Sequence, residues 1–281
     1  MTIQMDIDKV VFDFIGIKYS NFFYLYQCFR QDNTFRNVYN KGYIYNFAIN
    51  YSDDCMFFSY LNYRERKNEK GHAALYTLRL ETNPMNFAKY SNIIDLVCQI
   101  SSDVKFVSAD VAYDVPLPME RIFVMSQDNR RKITLDKDTR YFGNGGQRKQ
   151  NGYCRIYNKA AELREQKQVS FEGDLTRIEI VYKPIKSIHY SNVFEHPPRH
   201  NDYYYGKIID DLSWCSPKMR QNILNKQVGI GGESQYIRRE IKKALANQID
   251  IDFNRLASEH WENKMSVPVK TLIAKHEIYK S

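Results

Sequence analysis

With 281 residues, of which 43% are hydrophobic and 26% charged, the chain has the composition of a globular protein large enough for one large or two ordinary domains, which excludes a disordered tail or linker protein. Its net charge of +8 favours a polyanionic partner, because basic surface attracts phosphates and gains from counterion release. The five cysteines, Cys28, Cys55, Cys98, Cys154 and Cys215, are far apart, odd in number and never arranged as CxxC; this argues against a disulfide scaffold or zinc knuckle and for a reducing cytosol.

The first residues, MTIQMDIDKV, carry acids where a signal peptide carries positive charge. The most apolar window, Phe22 to Phe29, falls short of the about 20 residues that span a bilayer, so a cytoplasmic protein without a membrane partner is expected. Residues Asp6 to Ile17 predict a first strand. The following NFFYLYQCFRQDNTFRNVYNKGYIYNF is crowded with aromatic and basic side chains. Neighbouring Tyr and Arg can stack on bases, but in a chain with 22 tyrosines such a run reads first as core. Cys55 to Tyr63 and Ala74 to Thr82 predict strands around a solvated hairpin tip, RERKNEKG. Asn83-Pro84 then signals a turn and cap, and Ile93, Ile94, Val97 and Ile100 recur at helical spacing.

From Val104 the chain alternates. Val107, Ala109, Val111, Tyr113 and Val115 share one side of a half-buried strand, while Ser108, Asp110, Ala112 and Asp114 share the other. Strands at Arg121 to Ser126, Lys132 to Leu135 and Thr139 to Phe142 follow, separated by DNRR, DKD and GNGG turns.

The stretch Gly152 to Lys183 reads as strand, helix, strand. Tyr153, Arg155, Tyr157 and Lys159 fall on one side of its first strand; Arg177 and Glu179 line one side of its second, with Ile178, Ile180 and Tyr182 opposite. A phenol, three cations and a carboxylate on one surface are the inventory for cutting a phosphodiester with a tyrosine. The phenol, with an ordinary pKa of about 10, needs help, and Arg155, Lys159 and Arg177 are expected to favour its phenolate. Hard divalent ions such as Mg2+ or Mn2+ prefer carboxylate oxygens, which makes Asp110, Asp114 and Glu179 candidate ligands. Asp110 and Asp114, roughly 13 Å apart along a strand, are not expected to share one ion. Glu81 joins the set through an internal echo: Thr77-Leu-Arg79-Leu-Glu81 before Pro84 resembles Thr176-Arg177-Ile-Glu179 before Pro184, as two similar halves would.

Residues Ile185 to His200, with HPPRH, read as a linker. Beyond it, Ser216 to Val228, Ser234 to Asn247, Asp252 to Met265 and Val267 to Ile278 have helical period and caps. Lys218, Arg220, Arg238, Arg239, Lys242 and Lys243 give these helices a cationic set suited to DNA phosphates or a groove. The expected architecture is therefore α+β: a catalytic region over residues 1–185, with a curved antiparallel sheet and packed helices, and a linker with a helical DNA-recognition region over residues 186–281.

FVSADVAYDVP, TRYFGNGG, YCRIYNKAAELRE and LTRIEIVYKP together resemble, over about Val104 to Pro184, the rolling-circle plasmid replication initiators of the Rep_trans class. The resemblance implies that Tyr157 nicks one strand at a double-strand origin, keeps a 5′-phosphotyrosyl bond, frees a 3′-OH for leading-strand synthesis and later rejoins the circle. It also implies acids at Asp110, Asp114 and Glu179, and a homodimer. TRYFGNGGQRKQNG is richer in glycine and polar residues than the class pattern, which leaves Tyr153 as an alternative nucleophile. With no GxxxxGK[ST] loop in the sequence, a host helicase and polymerase would be recruited as partners, beside the origin duplex and the nicked single strand. Two other functions fit the same residues: a mobilisation relaxase nicking a transfer origin, and a non-enzymatic origin-binding protein.

Overall fold

The computed structural model describes residues 2–39, 43–50, 54–62, 76–127, 131–165, 170–230 and 234–279. The chain forms two compact units, each drawn from three segments: an amino-terminal unit of Ile7–Asp110, Lys183–His196 and Trp261–Ser281, and a central unit of Met1–Asp6, Val111–Tyr182 and Pro197–His260.

In the amino-terminal unit, β1 (Gln4–Ile15) is followed by α1 (Tyr19–Arg30), β2 (Arg36–Asn37), β3 (Tyr45–Ile49), β4 (Met56–Asn62) and β5 (Tyr76–Thr82). The strands lie antiparallel in the order β2-β3-β4-β5-β1. Helix α1 buries Phe22, Leu25 and Phe29, a three-and-four spacing that aims one stripe at the sheet. Phe22 stacks on Tyr60 of β4 with ring centroids 3.8 Å apart, and Phe12 of β1 meets Phe87 and Phe106 edge-on at 5.2 and 5.6 Å. Each such fully buried ring stabilises the fold by about 1.5–3 kcal/mol.

The single helix expected after Asn83-Pro84 is two, α2 (Asn86–Lys89) and α3 (Ser91–Ile100). The break falls at Tyr90, whose backbone is not helical; Asn86, buried and bonded to Thr82 Oγ1 and the Asp54 carbonyl at 2.8 and 3.1 Å, fixes the first turn separately. Strand β6 (Asp103–Val115) follows, with Val107, Ala109, Val111, Tyr113 and Val115 buried and Ser108, Asp110 and Asp114 less so. The hairpin tip RERKNEKG lies outside the described residues.

The central unit continues with β7 (Ile122–Ser126), β8 (Ile133–Asp136), β9 (Thr139–Phe142), β10 (Cys154–Asn158), α4 (Lys159–Glu165) and β11 (Thr176–Tyr182). Strands β11-β10-β9-β8 form an antiparallel run. The stretch expected to be linker instead holds β12 (Ile188–His189), paired with Phe106 and Lys105 of β6, and a 3-10 helix over Tyr190–Glu195. The region expected to be helical also contains strands. β13 (Tyr204–Ile208) pairs with β7, and α5 (Pro217–Gln227) and α6 (Gln235–Ala244) precede β14 (Ile249–Asp250), which closes a second sheet in the order β14-β13-β7. Ser216 caps α5 by accepting from the Met219 N–H, with Pro217 at its first turn. Ile223 of α5 and Ile241 of α6 pack in one cluster with Phe123, Met125, Ile209, Cys215 and Leu245.

The last two expected helices are one, α7 (Phe253–His276), which runs through Pro268. A proline in a helix interior costs one hydrogen bond and a steric clash, about 3 kcal/mol. Burial of Trp261, Met265, Val269 and Leu272 outweighs that cost. Antiparallel sheets with helices grouped beside them make the protein α+β. Among the described residues no helix is long and apolar enough to cross a membrane.

Candidate active site

In the central unit, Arg155 pairs in register with Glu179 of β11 and with Tyr141 of β9, and Tyr157 pairs with Arg177. Alternation puts Arg155 and Tyr157 on one face of β10, and Arg177 and Glu179 on the same face of β11. Arg155 grips Glu179 with Nε and Nη2, at 2.7 and 2.5 Å. Arg177 grips Asp114 in the same two-pronged way, at 2.7 and 2.6 Å, with both side chains largely buried. Both are planar fork-on-carboxylate pairs, the strongest side-chain hydrogen-bond geometry.

The Tyr157 hydroxyl donates to Glu179 Oε2 at 3.4 Å, and its ring lies 5.5 Å from the Arg155 guanidinium and 5.9 Å from Lys159 Nζ. Lys159 is not on the strand as expected: it opens α4, is buried, and bonds Glu162 at 2.9 Å. Tyr153 precedes the strand and is buried, and burial raises its phenol pKa.

Arg177 and Arg155 favour the Tyr157 phenolate as expected, but they do not decide its protonation. Burial pushes this phenol far above its ordinary 10.0, and the Glu179 carboxylate pushes it further; Arg177 and Arg155 act in the opposite direction without offsetting them. The resting hydroxyl is therefore held protonated. Tyr157 lines a cleft of about 350 Å3 together with Arg155 and Asn158, with Ala161, Glu162 and Glu165 of α4, and with Lys137, Asp138, Thr139 and Tyr141 of the β8–β9 hairpin. The sequence reading missed the hairpin residues and the α4 acids. Helical spacing could have found the acids, since Asn158, Glu162 and Glu165 share one face.

The four candidate metal ligands do not converge. Glu179 and Asp114 are each closed by an arginine, while in the amino-terminal unit Asp110 and Glu81 both approach Lys9 Nζ, at 3.1 and 3.7 Å. Among the described residues there is no group of three or more His, Cys, Asp or Glu that could hold a metal ion. As paired, each of the four carboxylates is engaged by a cation with which a divalent ion would have to compete.

The echo between the halves extends to contacts. Arg79 of β5 grips Asp13 of β1 at 2.7 and 2.8 Å, as Arg177 grips Asp114, in matching VVFDF and VAYDV segments. Ser59 stands opposite Arg79, and Phe57 opposite Glu81, where the central unit has Tyr157 and Arg155.

Of the cationic set on the carboxyl-terminal helices, Lys218, Arg220, Arg239 and Lys243 are exposed. Arg238 is not: it is buried and donates to the Ser126 carbonyl at 3.1 Å, tying α6 to β7. Lys242 is half-buried, bonds Gln127 Oε1 at 2.7 Å and lies 5.4 Å from the Tyr205 ring.

No protein-family model and no curated protein matches the chain. A solved structure that is similar, over 86% of this chain and 97% of the other, is a rolling circle replication initiator protein from Geobacillus stearothermophilus, with 11% identity and a TM-score of 0.38. A likeness at this distance carries no weight for activity.

Proposed function

We propose that the protein initiates rolling-circle replication by nicking one strand of origin DNA with Tyr157. The observation that carries this reading is the Tyr157 phenol on the wall of an open cleft beside Arg155, with the Glu179 carboxylate 3.4 Å from its hydroxyl. The motif resemblance over Val104 to Pro184 supports it independently.

In the proposed step, Tyr157 Oη attacks the phosphorus of a phosphodiester and its proton passes to Glu179. Arg155, already at the cleft, turns part of its fork to the non-bridging oxygens as charge develops there. The P–O3′ bond breaks, the 3′-oxygen takes a proton from solvent, and a 5′-phosphotyrosyl bond remains. Closure is the reverse: the 3′-OH attacks the phosphotyrosine and Tyr157 recovers its proton. Because the phenol is held neutral at rest, proton transfer during attack replaces the pre-formed phenolate. Dependence on Mg2+ or Mn2+ belongs to the proposal through the chemistry of phosphoryl transfer and is tested with chelator, since these four acids as paired assign no coordination.

Exposed Lys218, Arg220, Arg239 and Lys243 would bind duplex phosphates. A host helicase and polymerase, a homodimeric state and a cytoplasmic setting complete the reading. Incubating the protein with supercoiled plasmid carrying its own origin and Mg2+ or Mn2+ tests it: a nicked circle bearing covalent protein supports it, and intact plasmid with every divalent ion contradicts it. A cut at a transfer origin instead would make it a mobilisation relaxase, by the same chemistry. A non-enzymatic origin binder is favoured by one feature, the closure of Glu179 and Asp114 in arginine pairs, as in a purely structural network. On that reading Tyr157→Phe leaves replication intact.

A further inference from the structure

Helix α1 buries one aromatic stripe and exposes another. Beside and behind Phe22, Leu25 and Phe29, the rings of Tyr19, Phe23 and Tyr24 are 42%, 40% and 75% exposed. They are not loose. Tyr19 stacks on Phe23 with centroids 5.9 Å apart and planes at 29°, and its hydroxyl is bonded to that of Tyr45 at 2.8 Å. The inner stripe clamps the helix to the sheet, so Tyr19 and Phe23 form a preorganised platform with the exposed Tyr24 at its edge. Adjoining exposed rings on a helix face mark a contact surface.

Charge selects the occupant. Lys18 and Arg30 are exposed at the two ends of the helix and Arg36 is exposed beyond it, whereas the one acid of residues 18–39 is Asp32. Its carboxylate is turned into the Thr34 N–H and hydroxyl, at 2.7 and 2.6 Å. Lys18 and Arg30 flank the platform about 18 Å apart along the helix axis. Exposed aromatic faces between cations fit a polyanion with stackable, unpaired bases, because a paired duplex hides the base faces that rings would stack on.

We propose that the outer face of α1 binds single-stranded DNA by base stacking. The proposal extends the strand-nicking reading to the strand such an enzyme releases, yet it is measured without cleavage, so either can fail alone. The full chain is titrated into fluorescein-labelled oligo(dT) with EDTA present and anisotropy recorded. Tyr24→Ala, at a ring exposed enough to leave the core intact, is expected to weaken binding about tenfold. Phe23→Ala does the same, and Tyr24→Phe, which keeps the ring, restores wild-type affinity. Duplex binding by the variants stays unchanged. Unaltered oligo(dT) affinity in both alanine variants overturns the proposal. So does sedimentation showing that Tyr24→Ala splits a dimer while oligo(dT) binding is retained, since the face would then be an interface between copies.

Discussion

Arg155, 45% exposed, holds the 5% exposed Glu179 through two hydrogen bonds of 2.7 and 2.5 Å, and Tyr157 reaches the same carboxylate. One acid therefore serves both as the anchor of an ion pair and as the nearest base to the phenol. Glu179→Gln keeps the shape and removes the base. Covalent adduct formation is expected to fall about 100-fold or more. Spectrophotometric titration should show one tyrosine moving to lower pH, since a cause of the raised Tyr157 pKa is gone.

The Asp114–Arg177 pair is more deeply enclosed, at 16% and 9% side-chain exposure. Asp114→Ala leaves a buried guanidinium without its partner, which costs about 3–5 kcal/mol. Chemical denaturation should show that loss. Asp13→Ala, which orphans the more exposed Arg79, is expected to cost less.

His200 is fully buried, bonded to Tyr113 at 2.9 Å, and burial lowers its pKa from 6.5 to about 3. The unfolded chain therefore binds a proton between those values that the folded chain refuses. Stability from this group is complete above pH 6.5 and is lost as pH falls towards 3, by at most about 1.4 kcal/mol per pH unit. The thermal midpoint should drop less between pH 6.5 and 4.5 in His200→Gln than in the wild type. Equal drops would contradict the assignment.

Arg238 and Arg239 are neighbours in sequence with opposite roles. Arg239→Ala is expected to weaken duplex binding and flatten its salt dependence by about one unit of slope, with the melting temperature unchanged. Arg238→Ala, which cuts the tie to the Ser126 carbonyl, should lower the melting temperature and leave the salt slope alone.

Strand β6 was legible because polar and apolar residues alternate, and β7, β8 and β9 because turn-forming residues separate them; β9 begins and ends at the expected residues. Strands β12 and β14 have only two residues each, and they exist through tertiary pairing that no local pattern records. Pro268 suggested a helix end because local rules count the lost hydrogen bond and not the apolar stripe on both sides of it. Burial of Arg238 was readable in principle: with Ile241 and Leu245 it recurs at three and seven, on the apolar face. At the candidate site, the order of RxYxK and RxE gave the shared sheet face. Spacing names charges but not depth, so the direction of the Tyr157 shift was hidden, and so was the commitment of each acid to a cation. The Ser59 that stands opposite Arg79 shows the same limit: the echo was visible as TLRLE, but that a serine takes the place corresponding to Tyr157 needed the strand register.

The most direct measurement of the central claim is peptide mapping by mass spectrometry of the protein covalently joined to nicked origin DNA, for the wild type and for Tyr157→Phe. The account predicts a nucleotide on the peptide containing Tyr157, and no adduct in the variant. A nucleotide on Tyr153 or Tyr141, or an adduct that survives in Tyr157→Phe, would contradict it.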